Sequence, residues 1–176
     1  MKFIPTRIAG ACLIEPELIQ DERGFFARAW CKEEFIAQGL NPQFVQCSIS
    51  FNVRKGTLRG MHYQAKPHEE AKLVRCTRGA IYDVIVDLRP ASATFKQWVA
   101  VELTADNRKM LYVPEGIAHG FQTLEDQTEV FYQMSEFYHP ESARGIRWDD
   151  PVFKISWRLQ NPSLSLNDMT HSEFNG

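Results

Sequence analysis

Short runs in which hydrophobic and polar residues alternate, broken by turn residues, dominate the chain. That period-2 pattern predicts β-strands rather than helices. The first run is RIAGACLI, 7–14. QFVQCSISF (43–51), TLRGMHYQ (57–64), KLVRCTRG (72–79) and AIYDVIVDLR (80–89) follow. FKQWVAVEL (95–103), KMLYVP (109–114), HGFQTL (119–124) and TEVFYQMSEF (128–137) complete the set. Turn residues punctuate them at Lys55-Gly56, Arg78-Gly79, Arg89-Pro90, Pro114-Glu115-Gly116 and His139-Pro140. In AIYDVIVDLR, Tyr82, Val84, Val86 and Leu88 share one face, and Ile81, Asp83, Ile85 and Asp87 the other. One segment reads as helix, near residues 31 to 38, where Phe35 and Ile36 lie on one side and Gly39 is placed to stop it. Nine or ten strands and one main helix in a single domain predict a mainly β double-sheet roll or barrel. The C-terminal stretch, from about residue 158, is polar and is expected to be irregular, and no domain boundary falls inside residues 1–176.

Composition narrows the class without changing the picture. The 176 residues suit one domain, and 44% hydrophobic with 24% charged residues is a globular balance. A formal charge of -2 gives no bulk electrostatic reason to bind nucleic acid. No apolar run approaches the ~20 residues of a membrane span, and MKFIPTRIAG has no signal-peptide core. Cys12, Cys31, Cys47 and Cys76 are scattered and form no CxxC pair, so reduced thiols in a cytoplasmic protein are expected.

Several segments carry residues that could do chemistry. In LRGMHYQ, His62 shares a strand face with Leu58, Gly60 and Gln64. Arg59 has the opposite parity, which a bulge at Gly60 would change. A single strand histidine is more often a hydrogen-bonded structural residue than a catalyst. VPEGIAHGF carries Pro114, Gly116 and His119 in a P-x-G-x-x-H pattern, either a surface turn or a turn that delivers a histidine into a barrel interior. Lys72 shares a face with Val74 and Cys76, and Tyr132 and Tyr138 have equal parity. DERGFF, 21–26, is either a turn with a solvated charge pair or a loop offering Arg23 to an anion beside Phe26.

Taken together, DERGFF, TLRGMHYQ, EEAKLVRCTRGAIYDVIVDLR, VPEGIAHGFQTL, YQMSEFYHPE and RGIRWDDP resemble, in order and spacing, the dTDP-4-dehydrorhamnose 3,5-epimerase family. The resemblance runs from about residue 3 to LSLND near 168. It implies a cupin-type jelly roll (a double-stranded β-helix) with one or two short helices, and a homodimer. It also implies a nucleotide-linked 4-keto-6-deoxyhexose as substrate, inverted at C3, C5 or both. Such chemistry needs a base, an acid and a group to hold an enolate. By resemblance His62 is the base, Tyr132 the acid, Lys72 the cation near the ketone, and Asp168 the carboxylate that orients the histidine. His119 and Tyr138 match substrate contacts. Arg59 and Arg23 match diphosphate ligands, Arg23 coming from the other subunit, because a guanidinium fork suits phosphate oxygens. No metal or organic cofactor is implied. The P-x-G-x-x-H pattern does belong to metal-binding cupins, but His62 is followed by Tyr63-Gln64 and no H-x-H pair completes a three-ligand site.

The departures from the family pattern fall where the nucleotide is read. Arg28 stands where a glutamate is usual, Gln46-Cys47-Ser48 replaces Gln-Asp-Asn, Ala143 replaces an acidic residue and Asn167 a lysine. A glutamate accepts a hydrogen bond from a pyrimidine imide and a guanidinium does not. The expectation is therefore that the base is CDP- or GDP-type as readily as dTDP, with Phe26, Arg28, Gln46 and Ser48 among the contacts. Two other readings remain at this point. One is a nucleotide-sugar 3,4-ketoisomerase of related cupin fold, which LRGMHYQ and RGIRWDDP fit poorly. The other is a non-catalytic sugar-binding cupin, which would not need an acid–base set.

Overall fold

The computed structural model describes residues 1–174 of the chain. The strands are β1 (Lys2–Pro5), β2 (Cys12–Glu15), β3 (Ile19–Asp21), β4 (Gly24–Phe26), β5 (Gln46–Asn52), β6 (Leu58–Gln64) and β7 (Lys72–Arg78). They continue as β8 (Ala80–Asp87), β9 (Trp98–Thr104), β10 (Met110–Val113), β11 (Ile117–Thr123), β12 (Thr128–Met134) and β13 (Ala143–Gly145). Two short helices, α1 (Lys32–Ala37) and α2 (Leu166–Met169), complete the described elements. A six-stranded sheet runs β1-β2-β10-β7-β12-β5 and a five-stranded sheet runs β13-β6-β11-β8-β9, with β3 and β4 forming a separate hairpin. From β5 to β13 consecutive strands alternate between the two sheets, save β8 and β9, which pair in one, and the result is the expected jelly roll.

The sequence pattern explains how the layers close. Val74 and Cys76 of β7, Leu111 and Val113 of β10 and Val130 of β12 meet Ile81 and Ile85 of β8 and Ile117 and Phe121 of β11 in one cluster between the sheets. The opposite parity of β10 and β7, through Met110, Tyr112 and Leu73, packs outward against Phe35 of α1. Phe35 sits in an aromatic cage, edge-on to Phe3, Phe44 and Tyr112 at 5.6–6.0 Å between centroids.

The structure departs from the sequence reading in several places. RIAGACLI is not one strand: β1 lies earlier, and residues 6–11 form a turn closed by the Thr6 N–H donating to the Ala11 carbonyl at 3.0 Å, with Gly10 at φ +83°. Thirteen strands replace nine or ten because β3, β4 and β13 are three-residue strands, too short to show alternation. DERGFF is part of a hairpin turned at Glu22 and Arg23, with Arg23 paired to Asp21 at the turn, rather than a loop. The run at 128–137 stops at Met134. The alternation of β8 suggests one solvent face, yet all eight residues are buried. The C-terminal segment is the reason. Phe153, Ile155 and Trp157, which precede the polar tail, and Phe174 within it lie on Tyr82, Val84 and Val86, so the segment after β13 covers the outer face of the five-stranded sheet. No helix among the described residues is long and apolar enough to cross a membrane.

Candidate active site

β6 bulges, which turns His62 into the cavity and Arg59 toward the opposite sheet, although Arg59 is exposed and is not part of the cavity lining. Along β11, His119 faces His62 and Phe121 faces Arg59, so two steps on one strand match three on the other. The extra residue restores equal parity to Arg59 and His62. Gly60, at φ +131°, occupies the bulge; a Cβ there would lie 2.5 Å from Gly120 Cα and 2.9 Å from the His119 carbonyl. Only a glycine permits strands this close. Arg59 Nε then donates to the side-chain oxygen of Asn52, on β5 of the opposite sheet, at 2.7 Å.

A cavity of about 830 Å³ opens between the sheets beside this bulge. From the five-stranded sheet it receives His62 and Gln64; from the six-stranded sheet it receives Tyr132, Lys72, Gln46 and Ser48. His62 Nε2 lies 2.6 Å from Asp168 Oδ1. A carboxylate has no proton to give, so Nε2 is the donor and Nδ1 keeps a free lone pair. Asp168 is in turn held by the Ser165 hydroxyl, which donates to Oδ2 at 2.9 Å and accepts from the Asp168 N–H at 3.1 Å as the N-cap of α2. Burial alone would raise the Asp168 pKa. The hydrogen bond and positive charge available from His62, with the Ser165 hydroxyl, outweigh it and hold the carboxyl below its ordinary value.

The facing wall is electrostatically distinct. Burial raises the Tyr132 phenol above its ordinary pKa of 10.0 and the Glu70 carboxylate adds to the rise, while Arg59 and a Ser48 hydrogen bond oppose it. The phenol is therefore a proton donor throughout the neutral range. Lys72 Nζ makes an ion pair with Glu70 Oε1 at 3.0 Å, both side chains nearly buried. An ammonium fixed in this way can meet a developing oxyanion without reorganising.

Of the residues singled out in the sequence, His62, Tyr132, Lys72, Gln46, Ser48 and Tyr138 line the cavity, and Asp168 stands behind His62. Tyr138 is held over the rim by its N–H, which donates to Gln46 Oε1 at 2.6 Å. Ala143 and Asn167 also line the cavity, whereas Cys47 lies on the exposed outer face of β5. His119 is buried and bonded to Asp83 Oδ1 at 2.7 Å, and it is not part of the lining. Arg23, Phe26 and Arg28 are outside the cavity of the single chain: Arg23 is exposed and paired with Asp21 at 2.5 Å, Phe26 is exposed, and Arg28 meets Glu34 at 3.3 Å.

Four residues escaped the sequence reading. Glu70 has the same parity as Lys72, a signal that was present. Gln64, two residues after His62, is buried and pins the loop bearing Tyr138: its amide donates to the His68 and Phe137 carbonyls at 3.0 Å and accepts from the His139 N–H at 2.7 Å. Asp83 lies in the alternating β8 pattern without marking itself as the partner of His119. His171 comes from the polar tail, where nothing local announces it. Two trios place three ligand atoms within 4.8 Å of one another, His62–Asp168–His171 and His68–Glu136–His139. Neither is the cupin set considered from the sequence.

The family model described as dTDP-4-dehydrorhamnose 3,5-epimerase matches residues 5–176. A dTDP-4-dehydrorhamnose 3,5-epimerase of Shigella flexneri is 43% identical over 175 residues, covering 99% of this chain and 96% of its own. The crystal structure of a dTDP-4-dehydrorhamnose 3,5-epimerase from Bacillus anthracis, with TDP and PPi bound, is 42% identical with a TM-score of 0.95, covering 98% of this chain and 99% of that one. A 3'-monoepimerase from Streptomyces bikiniensis in complex with dTDP-quinovose is similar at 33% identity and a TM-score of 0.86, covering 94% of this chain and 84% of that one.

Proposed function

The chain belongs to the dTDP-4-dehydrorhamnose 3,5-epimerase family, an enzyme family of the isomerase class, and from that premise we propose that it inverts carbon centres flanking the 4-ketone of a nucleotide-linked 6-deoxyhexose. The observation that carries this reading is a base and an acid set on opposite sheets of one cavity: His62 on β6 and Tyr132 on β12.

A hydrogen on a carbon next to a ketone is acidic because its removal leaves an enolate. His62 Nδ1 takes that proton, and the imidazolium formed is stabilised by Asp168 at 2.6 Å. The enolate oxygen develops charge beside the Lys72 ammonium. Tyr132 returns a proton to the opposite face of the same carbon, which inverts it; the imidazolium then releases its proton to solvent and the phenolate takes one up through the open cavity. C3 and C5 are both adjacent to the C4 ketone, so one apparatus serves either carbon.

Arg59 and Arg23 hold the diphosphate in this reading. Arg23 does so across a homodimer, because in its own chain it points to solvent. The surface that supports such a dimer is apolar: Ile49 and Phe51 on the outer face of the edge strand β5, Val53 just past its end, and Ile19, Phe25 and Phe26 of the β3–β4 hairpin are all exposed. The base is contacted by Gln46 and Ser48. dTDP is the first candidate, since TDP and dTDP-quinovose occupy two of the similar structures, and CDP or GDP is the alternative raised by the changes at Arg28 and Cys47.

The test is an assay of nucleotide 4-keto-6-deoxyhexoses carrying dTDP, CDP or GDP, run in D₂O with NMR readout. Deuterium at C3 or C5 with inversion is the expected result, and the pattern reports the carbon and the base together. Carbonyl migration, or binding without exchange, would remove the proposal.

A further inference from the structure

His171 stands against the His62–Asp168 pair without taking a hydrogen bond from it. Its ring is edge-on to His62 at 5.8 Å between centroids and 76°. Its Nε2 is buried, has no hydrogen-bond partner among the described residues, and lies 3.8 Å from Asp168 Oδ1. Gly145 of β13 makes the room: a Cβ there would sit 2.2 Å from His171 Nε2. A buried imidazole nitrogen left unpaired is costly. Here it faces a carboxylate oxygen and a second imidazole, with all three ligand atoms within 4.8 Å and the cavity alongside.

We propose that His62, Asp168 and His171 bind one zinc-class divalent ion, and that its binding switches the enzyme off by capturing the base. Two imidazoles and one carboxylate, with open positions toward a cavity, are a donor set that Zn²⁺, Co²⁺ and Ni²⁺ accept. Zinc bonds of ~2.0–2.2 Å hold tetrahedral ligand atoms about 3.3 Å apart. The 2.6 Å His62–Asp168 contact must therefore open slightly and the 3.8 Å contact close. Nε2 binds the ion only by giving up the proton it shares with Asp168, and that proton moves to Nδ1, so the imidazole stays neutral and no proton is released. With Nδ1 protonated, His62 has no lone pair to offer the substrate, so proton abstraction stops. The His68–Glu136–His139 trio is the weaker candidate. His68 and His139 stack at 3.5 Å and 9°, and one ion cannot lie in the planes of two face-to-face rings.

The binding claim is independent of the proposed function; only the inhibition rests on it. The chelator-stripped chain is titrated with Co²⁺, read by its visible d–d bands, and with Zn²⁺ by calorimetry. One ion per chain is expected. His171→Gln, which keeps volume, should weaken binding at least about tenfold, and His62→Gln should do the same from the strand side should the first variant misfold. Absence of binding, equal binding by both variants, or loss of binding in His139→Gln instead would overturn the site. In the activity arm, Zn²⁺ at the concentration that saturates the site should abolish turnover, and EDTA should restore it. Full occupancy with unchanged turnover would overturn the inhibition. A chain with no epimerase activity before metal is added would count against the proposed function alone.

Discussion

His62 and Asp168 are 106 positions apart in the sequence and 2.6 Å apart in the fold. The carboxylate comes from α2, a four-residue helix in the polar tail, and reaches the histidine from behind the cavity wall. It thereby fixes which ring nitrogen carries the proton and which is free to act. His62→Ala should lower kcat by ~10²–10⁴-fold, as loss of a general base does, and abolish deuterium wash-in. Asp168→Asn should lower kcat while leaving nucleotide diphosphate affinity, measured by titration, unchanged. Wash-in that survives in His62→Ala would move the base elsewhere.

Tyr132 sits on the other wall, so its loss should look different. Tyr132→Phe keeps the base and removes the donor. Deuterium should still enter the substrate at the ionised carbon, from the His62 side and with retained configuration, while inversion falls by ~10²–10⁴-fold. NMR of recovered substrate separates the two events. Loss of exchange and inversion together would assign Tyr132 to deprotonation instead.

Glu70 links the ammonium and the phenol. In the proposed mechanism turnover needs the Tyr132 phenol protonated, so activity should be full below its pKa and lost as pH rises through it. The Glu70 charge is among the causes that raise that pKa. Glu70→Gln should therefore move the alkaline limb of the kcat profile to lower pH, and a spectroscopic titration of the phenol should follow it. An unmoved limb would confine Glu70 to holding Lys72.

Arg23 gives a test of the proposed dimer. Arg23→Ala and His62→Ala chains are each expected to be poorly active alone. Mixed and allowed to exchange, they should regain activity, because one site of each mixed dimer then has an intact His62 and an intact Arg23. A mixture no more active than its components would return Arg23 to its own chain.

Gly60 tests the bulge. Gly60→Ala must place a Cβ 2.5 Å from Gly120 Cα at a φ of +131°. Overpacking and backbone strain each cost roughly 1–3 kcal/mol. Denaturant unfolding should show a loss of about that sum, and Arg59 and His62 should lose their common face.

Much of this protein is written in local pattern. Alternation located the cores of β5 to β12, and Phe35 with Gly39 located α1, because period and punctuation are properties of neighbours in the chain. Residue type and spacing likewise drew attention to His62, Lys72 and Tyr132. Tertiary structure decided the rest. The bulge at Gly60, which puts Arg59 beside His62, depends on how β6 aligns with β11. β8 is buried on both faces because the segment after β13, through Phe153, Ile155, Trp157 and Phe174, folds over it. Glu70 and Gln64 acquire roles from what they touch, and His171 arrives from a segment with no pattern at all. An alternating run determines that a strand has two faces; which face becomes a cavity wall depends on packing between residues far apart in sequence, and no local period records it.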